Sequence, residues 1–207
     1  MKATKIVTDE TLVAYLKRLH KEQQVKKLGG GAFSQVFQHP TLKGVVTKVY
    51  SGKDKQYSKY VTWCLKNQDN PFVPKILDRV TCVSPKGTYG IVFMQKLKPI
   101  KNDAALARAW IRECNLCAAD AALVAQLMDI FDEVDMGRLS KTMKRLTKKN
   151  KANPYLLKLW TFLAKLGVDN LDIHYGNAMM CGKQLVITDP VASDPDWNLY
   201  VGDVRYR

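Results

Sequence analysis

The chain has 207 residues, 46% hydrophobic and 25% charged, with a formal net charge of +14; that is enough to build a full core, as one large domain or two small lobes. It holds no run of about 18 apolar residues and no charged-then-apolar leader, so neither a membrane span nor secretion is expected. Five cysteines, an odd number, argue against a disulfide framework and fit a reducing cytosol.

The charge is uneven. Residues 1–99 carry 18 Lys and Arg against 6 Asp and Glu, a balance of +12, whereas residues 100–207 carry 15 against 13. A field of that sign attracts polyanions, whether nucleotide phosphates, acidic protein surfaces or nucleic acid.

In chain order, Thr8 is placed to cap a helix over 9–22, with Asp9 and Glu10 in its first turn and Leu12, Leu16 and Leu19 on one face. A short strand at 25–28 then runs into Gly29-Gly30-Gly31-Ala32-Phe33-Ser34 and a second strand at 35–37. Such a glycine hairpin lets backbone N–H groups approach phosphates without hindrance from Cβ atoms. The third strand, 44–50, is apolar and β-branched except for Lys48. A lysine buried on a strand is costly without a partner, and phosphates beneath the hairpin would supply one. Residues 54–67 are expected to be helical and 73–83 extended. Pro85, Lys86 and Gly87 form a turn into a fifth strand, 88–94, which ends in the polar hinge 95–99.

Beyond the hinge the pattern turns helical. Residues 104–131 carry an apolar stripe through Leu106, Trp110, Leu123 and Leu127, and 129–135 an acidic patch. Cys114 and Cys117 fall inside that pattern, where small buried thiols are the expectation and a zinc or redox pair the alternative. Arg138, Lys141, Lys144, Arg145, Lys148, Lys149 and Lys151 form a basic run, read either as a solvated face or as a dock for acidic protein or nucleic acid. Pro154 opens a helix with Leu156, Leu159, Trp160, Leu163 and Leu166 on one face. It leads to Asp172-Ile173-His174-Tyr175-Gly176-Asn177, a short hairpin turning at 181–183, and Thr188-Asp189-Pro190. Asp172 and Asn177 lie five residues apart, and Asp189 twelve beyond. This spacing suits phosphoryl transfer from a metal-bound nucleotide. One carboxylate receives a hydroxyl proton, while an amide oxygen and a second carboxylate offer the hard ligands that Mg²⁺ prefers.

Taken together, the glycine hairpin, Val46-Thr47-Lys48-Val49, His39-Pro40-Thr41-Leu42, the Asp172 loop and Ile187-Thr188-Asp189-Pro190-Val191 resemble the protein kinase-like superfamily. More narrowly, they resemble the early serine/threonine protein kinases of T-seven-like lytic bacteriophages. The resemblance spans residues 25–195 and implies an α+β, minimal two-lobed kinase fold. Its amino-terminal lobe (1–97, with the leading helix) would be a five-stranded antiparallel sheet, and its carboxy-terminal lobe (98–207) mostly helical. It implies ATP and Mg²⁺, with Mn²⁺ as the alternative ion. Lys48 would hold the α/β-phosphates beneath the backbone of Gly29, Gly30, Gly31, Phe33 and Ser34, and Met94, Gln95 and Leu97 would receive the adenine. Asp172 would face the substrate hydroxyl with His174 beside the transferred phosphate, and Asn177 and Asp189 would hold the metal. Host bacterial proteins, of the transcription or translation machinery, would be the substrates, in the cytoplasm of the infected cell.

The departures are specific. Ser34 replaces the third loop glycine, and residues 54–67 contain no Glu to pair with Lys48. Asn170-Leu171 precedes Asp172 where His-Arg is usual, and Pro190-Val191 follows Asp189 where Phe-Gly is usual. Seventeen residues after Pro190 leave an activation segment unexpected. A small-molecule kinase of the aminoglycoside type, and an inactive homologue that blocks a nucleic-acid-handling host enzyme through its basic surface, fit the same residues.

Overall fold

The computed structural model describes residues 4–7, 26–30, 34–85, 87–113, 153–166 and 172–191. The expected helix over 9–22, the stretch 114–131 with Cys114 and Cys117, the acidic patch and the basic run 138–151 lie outside the described residues. The chain divides into two compact units. One comprises Met1–Leu65, Lys75–Lys96 and Ser193–Arg207, the other Lys66–Pro74 and Leu97–Ala192.

In the first unit a six-stranded sheet has the order β1-β5-β6-β4-β3-β2. Its strands are β1 (Thr4–Val7), β2 (Lys27–Gly30), β3 (Ser34–Gln38), β4 (Val45–Ser51), β5 (Ile76–Ser84) and β6 (Gly87–Gln95). Strands β2 to β6 form the expected five-stranded antiparallel set. The sixth corrects that expectation, because β1 pairs parallel with β5, Thr4 opposite Val80 through Val7 opposite Val83. Four residues are too few to show a period of two, so the strand is invisible to hydrophobic patterning.

Strand alternation gives this sheet two faces. On one, Phe37, Val49, Val80, Cys82 and Ile91 form an apolar cluster with Tyr89 and Phe93 packed against it. On the other, Val46, Lys48 and Tyr50 of β4 stand opposite Met94, Val92 and Gly90 of β6, and this face receives helix α1 (Lys55–Lys66). Asp54 caps α1, its Oδ1 accepting the Tyr57 N–H at 2.9 Å. Arg79, on the same face of β5, donates to the hydroxyls of Thr62 (2.8 Å) and Ser58, fastening the helix to the sheet. Tyr50 meets Tyr57 edge-on, with ring centroids 4.8 Å apart. Its own ring lies so close over Gly90 that a Cβ there would stand 2.1 Å from Cζ. A side chain at position 90 is excluded by packing.

In the second unit, helices α2 (Asp103–Glu113) and α3 (Pro154–Lys165) accompany a three-stranded sheet of β7 (Lys98–Pro99), β8 (Ala178–Cys181) and β9 (Gln184–Ile187). Asn102 caps α2, accepting the Ala105 N–H at 3.0 Å. Asn153 caps α3 in the same way, with Pro154 opening the helix as its sequence position predicts. Leu106, Trp110, Leu156, Leu159, Trp160 and Leu163 are buried, and the two indoles stack at 5.7 Å. Part of the expected hinge is thus a strand, with Lys98 pairing Met180 and Pro99 pairing Met179. No described helix is long and apolar enough to cross a membrane.

Candidate active site

The β8–β9 hairpin is what brings the sequence-distant carboxylates together. Gly182, at φ +62°, takes the first position of its two-residue turn, and Ala178 to Cys181 then pair with Ile187 to Gln184. The pairing returns the chain from Asn177 to Thr188 and Asp189, side by side with its starting point. The Asn177 carbonyl accepts three hydrogen bonds there: from the Thr188 N–H (2.9 Å), the Asp189 N–H (3.2 Å) and the Thr188 hydroxyl (2.8 Å). The Asp172 N–H in turn donates to the Pro190 carbonyl at 3.0 Å. Asp172, Asn177 and Asp189 therefore share one hydrogen-bonded frame, resting on the buried Ile173, Ala178, Ile187 and Val191.

Within that frame the side chains are oriented. The Asn177 amide nitrogen donates to Asp172 Oδ2 at 2.7 Å and to the Asp172 carbonyl at 2.8 Å, so the amide oxygen is turned away from Asp172. His174 Nε2 lies 3.4 Å from Asp172 Oδ1. Its Nδ1 accepts the Gly176 N–H at 3.0 Å, which fixes the neutral ring as the Nε2–H tautomer, a donor toward the carboxylate. Gly176 is needed for this, since a Cβ there would come within 2.6 Å of His174 Cε1. The Asp172 side chain is 44% exposed and that of His174 47%. A carboxylate held at both oxygens yet open to solvent can accept a proton from an incoming hydroxyl.

The fit to a divalent cation rests on donor type. An amide oxygen oriented by its own nitrogen and a half-buried carboxylate, carried on backbones tied to each other, are oxygen ligands of the kind Mg²⁺ takes alongside phosphates. Among the described residues no three His, Cys, Asp or Glu side chains cluster as a metal cage. Burial pushes the Cys64 thiol up to about 12.

The residues expected to meet the nucleotide lie in the first unit, apart from Leu97. Lys48 is 6% exposed, and its ammonium stands 3.9 Å from the centroid of the Tyr57 ring. Gly29 and Gly30 belong to β2, paired with Val36 and Gln35, and Ser34 opens β3. Of the expected loop 29–34, Gly29, Gly30 and Ser34 are thus strand residues, and Gly31 and Phe33 lie outside the described residues. A Cβ at Gly29 would meet nothing within 4 Å, whereas one at Gly30 would meet the Ser34 carbonyl at 2.9 Å. Met94 is buried in β6. The Gln95 N–H donates to the Lys75 carbonyl (2.9 Å) and that of Lys96 to Gly44 (2.8 Å).

Sequence reasoning missed two elements that support the frame. Asn70, fully buried, donates from its amide nitrogen to the Tyr155 carbonyl of α3 at 2.8 Å and accepts the Phe72 N–H at 2.9 Å. The Phe72 carbonyl then accepts the Ile187 N–H at 2.8 Å, two residues before Asp189. Glu113, at the end of α2, accepts the Leu185 N–H at 3.4 Å, while Arg112 donates to the Lys183 carbonyl. Local sequence carries no signal for either, because both depend on partners 70 or more residues away.

The protein-family model described as Bacteriophage T7 protein kinase 0.7 matches residues 1–198 of the chain. None of the curated proteins compared matches it.

Proposed function

We propose a function from one premise: the chain belongs to the Bacteriophage T7 protein kinase 0.7 family. On that premise it is a phage serine/threonine protein kinase, a two-lobed phosphotransferase that moves the γ-phosphoryl group of ATP to hydroxyls of host proteins in the cytoplasm of the infected cell. The observation that carries this reading is the Asn177 residue. Its carbonyl ties down Asp189 and its amide ties down Asp172, which supports reading these residues as base and metal ligands held in one hydrogen-bonded frame.

In this reading Asp172 accepts the proton of the attacking hydroxyl, with His174 Nε2–H steadying the carboxylate. A new O–P bond forms to the hydroxyl oxygen, the bond between the γ-phosphorus and the β–γ bridging oxygen breaks, and ADP leaves. Lys48 holds the α/β-phosphates. In this reading Met94, Gln95 and Leu97 receive the adenine. When bound at Asn177 and Asp189, Mg²⁺ supplies charge neutralisation of the phosphate oxygens. Positioning and electrostatics suffice, with no covalent intermediate on the protein.

The test is incubation of the full chain with labelled ATP, Mg²⁺ and host lysate. Labelled protein bands, with label on Ser and Thr after hydrolysis, are the expected result. Label confined to small metabolites would establish the small-molecule kinase instead, and no transfer would leave the inactive homologue.

A further inference from the structure

We infer that Tyr57 is a positioning residue for Lys48, holding the ammonium against its ring face. Helix α1 contains no Glu, so its sequence left open what orients the lysine. The functional consequence rests on the reading of Lys48 as the phosphate-binding lysine, whereas the contact itself does not.

The geometry is specific. Lys48 projects from β4 between Val46 and Tyr50, toward the face that α1 covers. Its ammonium is 3.9 Å from the Tyr57 centroid, within the range where the ring quadrupole attracts a cation, and both side chains are buried, Tyr57 at 1% exposure and Lys48 at 6%. Removal from water is the condition under which this attraction is strongest. The ring is fixed from several directions: Tyr50 packs edge-on at 4.8 Å with a 79° interplanar angle, Tyr60 lies at 6.1 Å, and the Tyr57 N–H is capped by Asp54. Arg79 anchors the next turns of the helix through Ser58 and Thr62. A ring so held helps define where the charge sits while adding no negative charge of its own.

The experiment replaces Tyr57 with Phe, with mono-, di- and trifluorinated phenylalanine, and with Leu. ATP dissociation constants and the KM and kcat of transfer are measured for each. Fluorination drains the ring face at nearly constant size. ATP affinity should be kept by Phe and fall stepwise with each fluorine, to about tenfold weaker for the trifluoro ring and for Leu. KM for ATP should rise in parallel and kcat change less. In the nucleotide-free chain, isotope-labelled Lys48 Cε protons should resonate upfield from the ring current and lose that shift in Tyr57→Leu. Affinity that stays flat across the fluorinated series overturns the positioning role, and an unshifted Lys48 resonance overturns the contact. A wild-type chain that shifts Lys48 but binds no ATP defeats the kinase reading and the nucleotide role together while upholding the contact.

Discussion

The Asn177 amide donates to the Asp172 carboxylate at 2.7 Å, while the Asn177 carbonyl accepts the Asp189 N–H at 3.2 Å. One residue thus sets the spacing between two carboxylates that are seventeen positions apart. On the proposed reading, Asp172→Asn, Asp189→Asn and Asn177→Ala should each lower phosphoryl transfer by about a hundredfold or more, since each removes the proposed base or the charge or oxygen of a proposed metal ligand. Their circular dichroism spectra should match the wild type. An Asp189→Asn chain with wild-type turnover would take Asp189 out of the metal set.

Gly176→Ala places a methyl 2.6 Å from His174 Cε1 and forces the ring off the Gly176 N–H. The neutral ring then loses its fixed tautomer and its line to Asp172. Transfer should drop about tenfold, with a change in unfolding free energy under about 1.5 kcal/mol because the residue is exposed. Unaltered kinetics in this variant would show that the His174–Asp172 contact is dispensable.

Asn70→Ala strands the buried Phe72 N–H and removes the side-chain bond to the Tyr155 carbonyl. One buried donor without a partner should cost about 1–3 kcal/mol, read as a lowered denaturation midpoint. The same change loosens the Phe72 bond to Ile187 and so the strand that ends near Asp189. A shift of less than about 0.5 kcal/mol would mean that water takes up the Phe72 N–H.

Alkaline pH should weaken the fold through Cys64 and Tyr50. Burial is the leading cause of both rises, lifting the Cys64 thiol from 9.0 to about 12 and the Tyr50 phenol above 10.0. The folded state therefore binds more protons than the unfolded state above pH 9.0, and stability falls as pH climbs. Stability should be insensitive to these groups below pH 9.0 and decline between pH 9.0 and about 12. Urea midpoints across that window give the check, and Cys64→Ala should flatten the slope even where it lowers the midpoint.

Binding to target proteins should weaken steeply as salt rises from about 0.05 to 0.3 M, because exposed charges are screened over about a Debye length. The +12 balance of residues 1–99 motivates this expectation. ATP affinity should fall much less, its phosphates being held at short range. Target binding that ignores salt would reduce the basic surface to a solubility feature.

The sequence by itself determined the antiparallel strand ladder β2 to β6, helices α1 and α3 and the β8–β9 hairpin. Each is specified by signals within a few residues: β-branched runs, Asp54 and Asn153 as caps, Pro154 at a helix start, and Gly182 in a turn. It also singled out Asp172, Asn177 and Asp189, because five- and twelve-residue spacings across a hairpin are local too. Only tertiary structure decided that β1 pairs with β5, that Asn70 and Glu113 brace the hairpin from other elements, and that Tyr57 stands over Lys48. Local preferences are additive along a chain and can be read there. A cation over a ring, or an amide bridging two backbones, requires partners that only the closed fold brings within a few ångströms, and no pattern in the intervening residues encodes that approach.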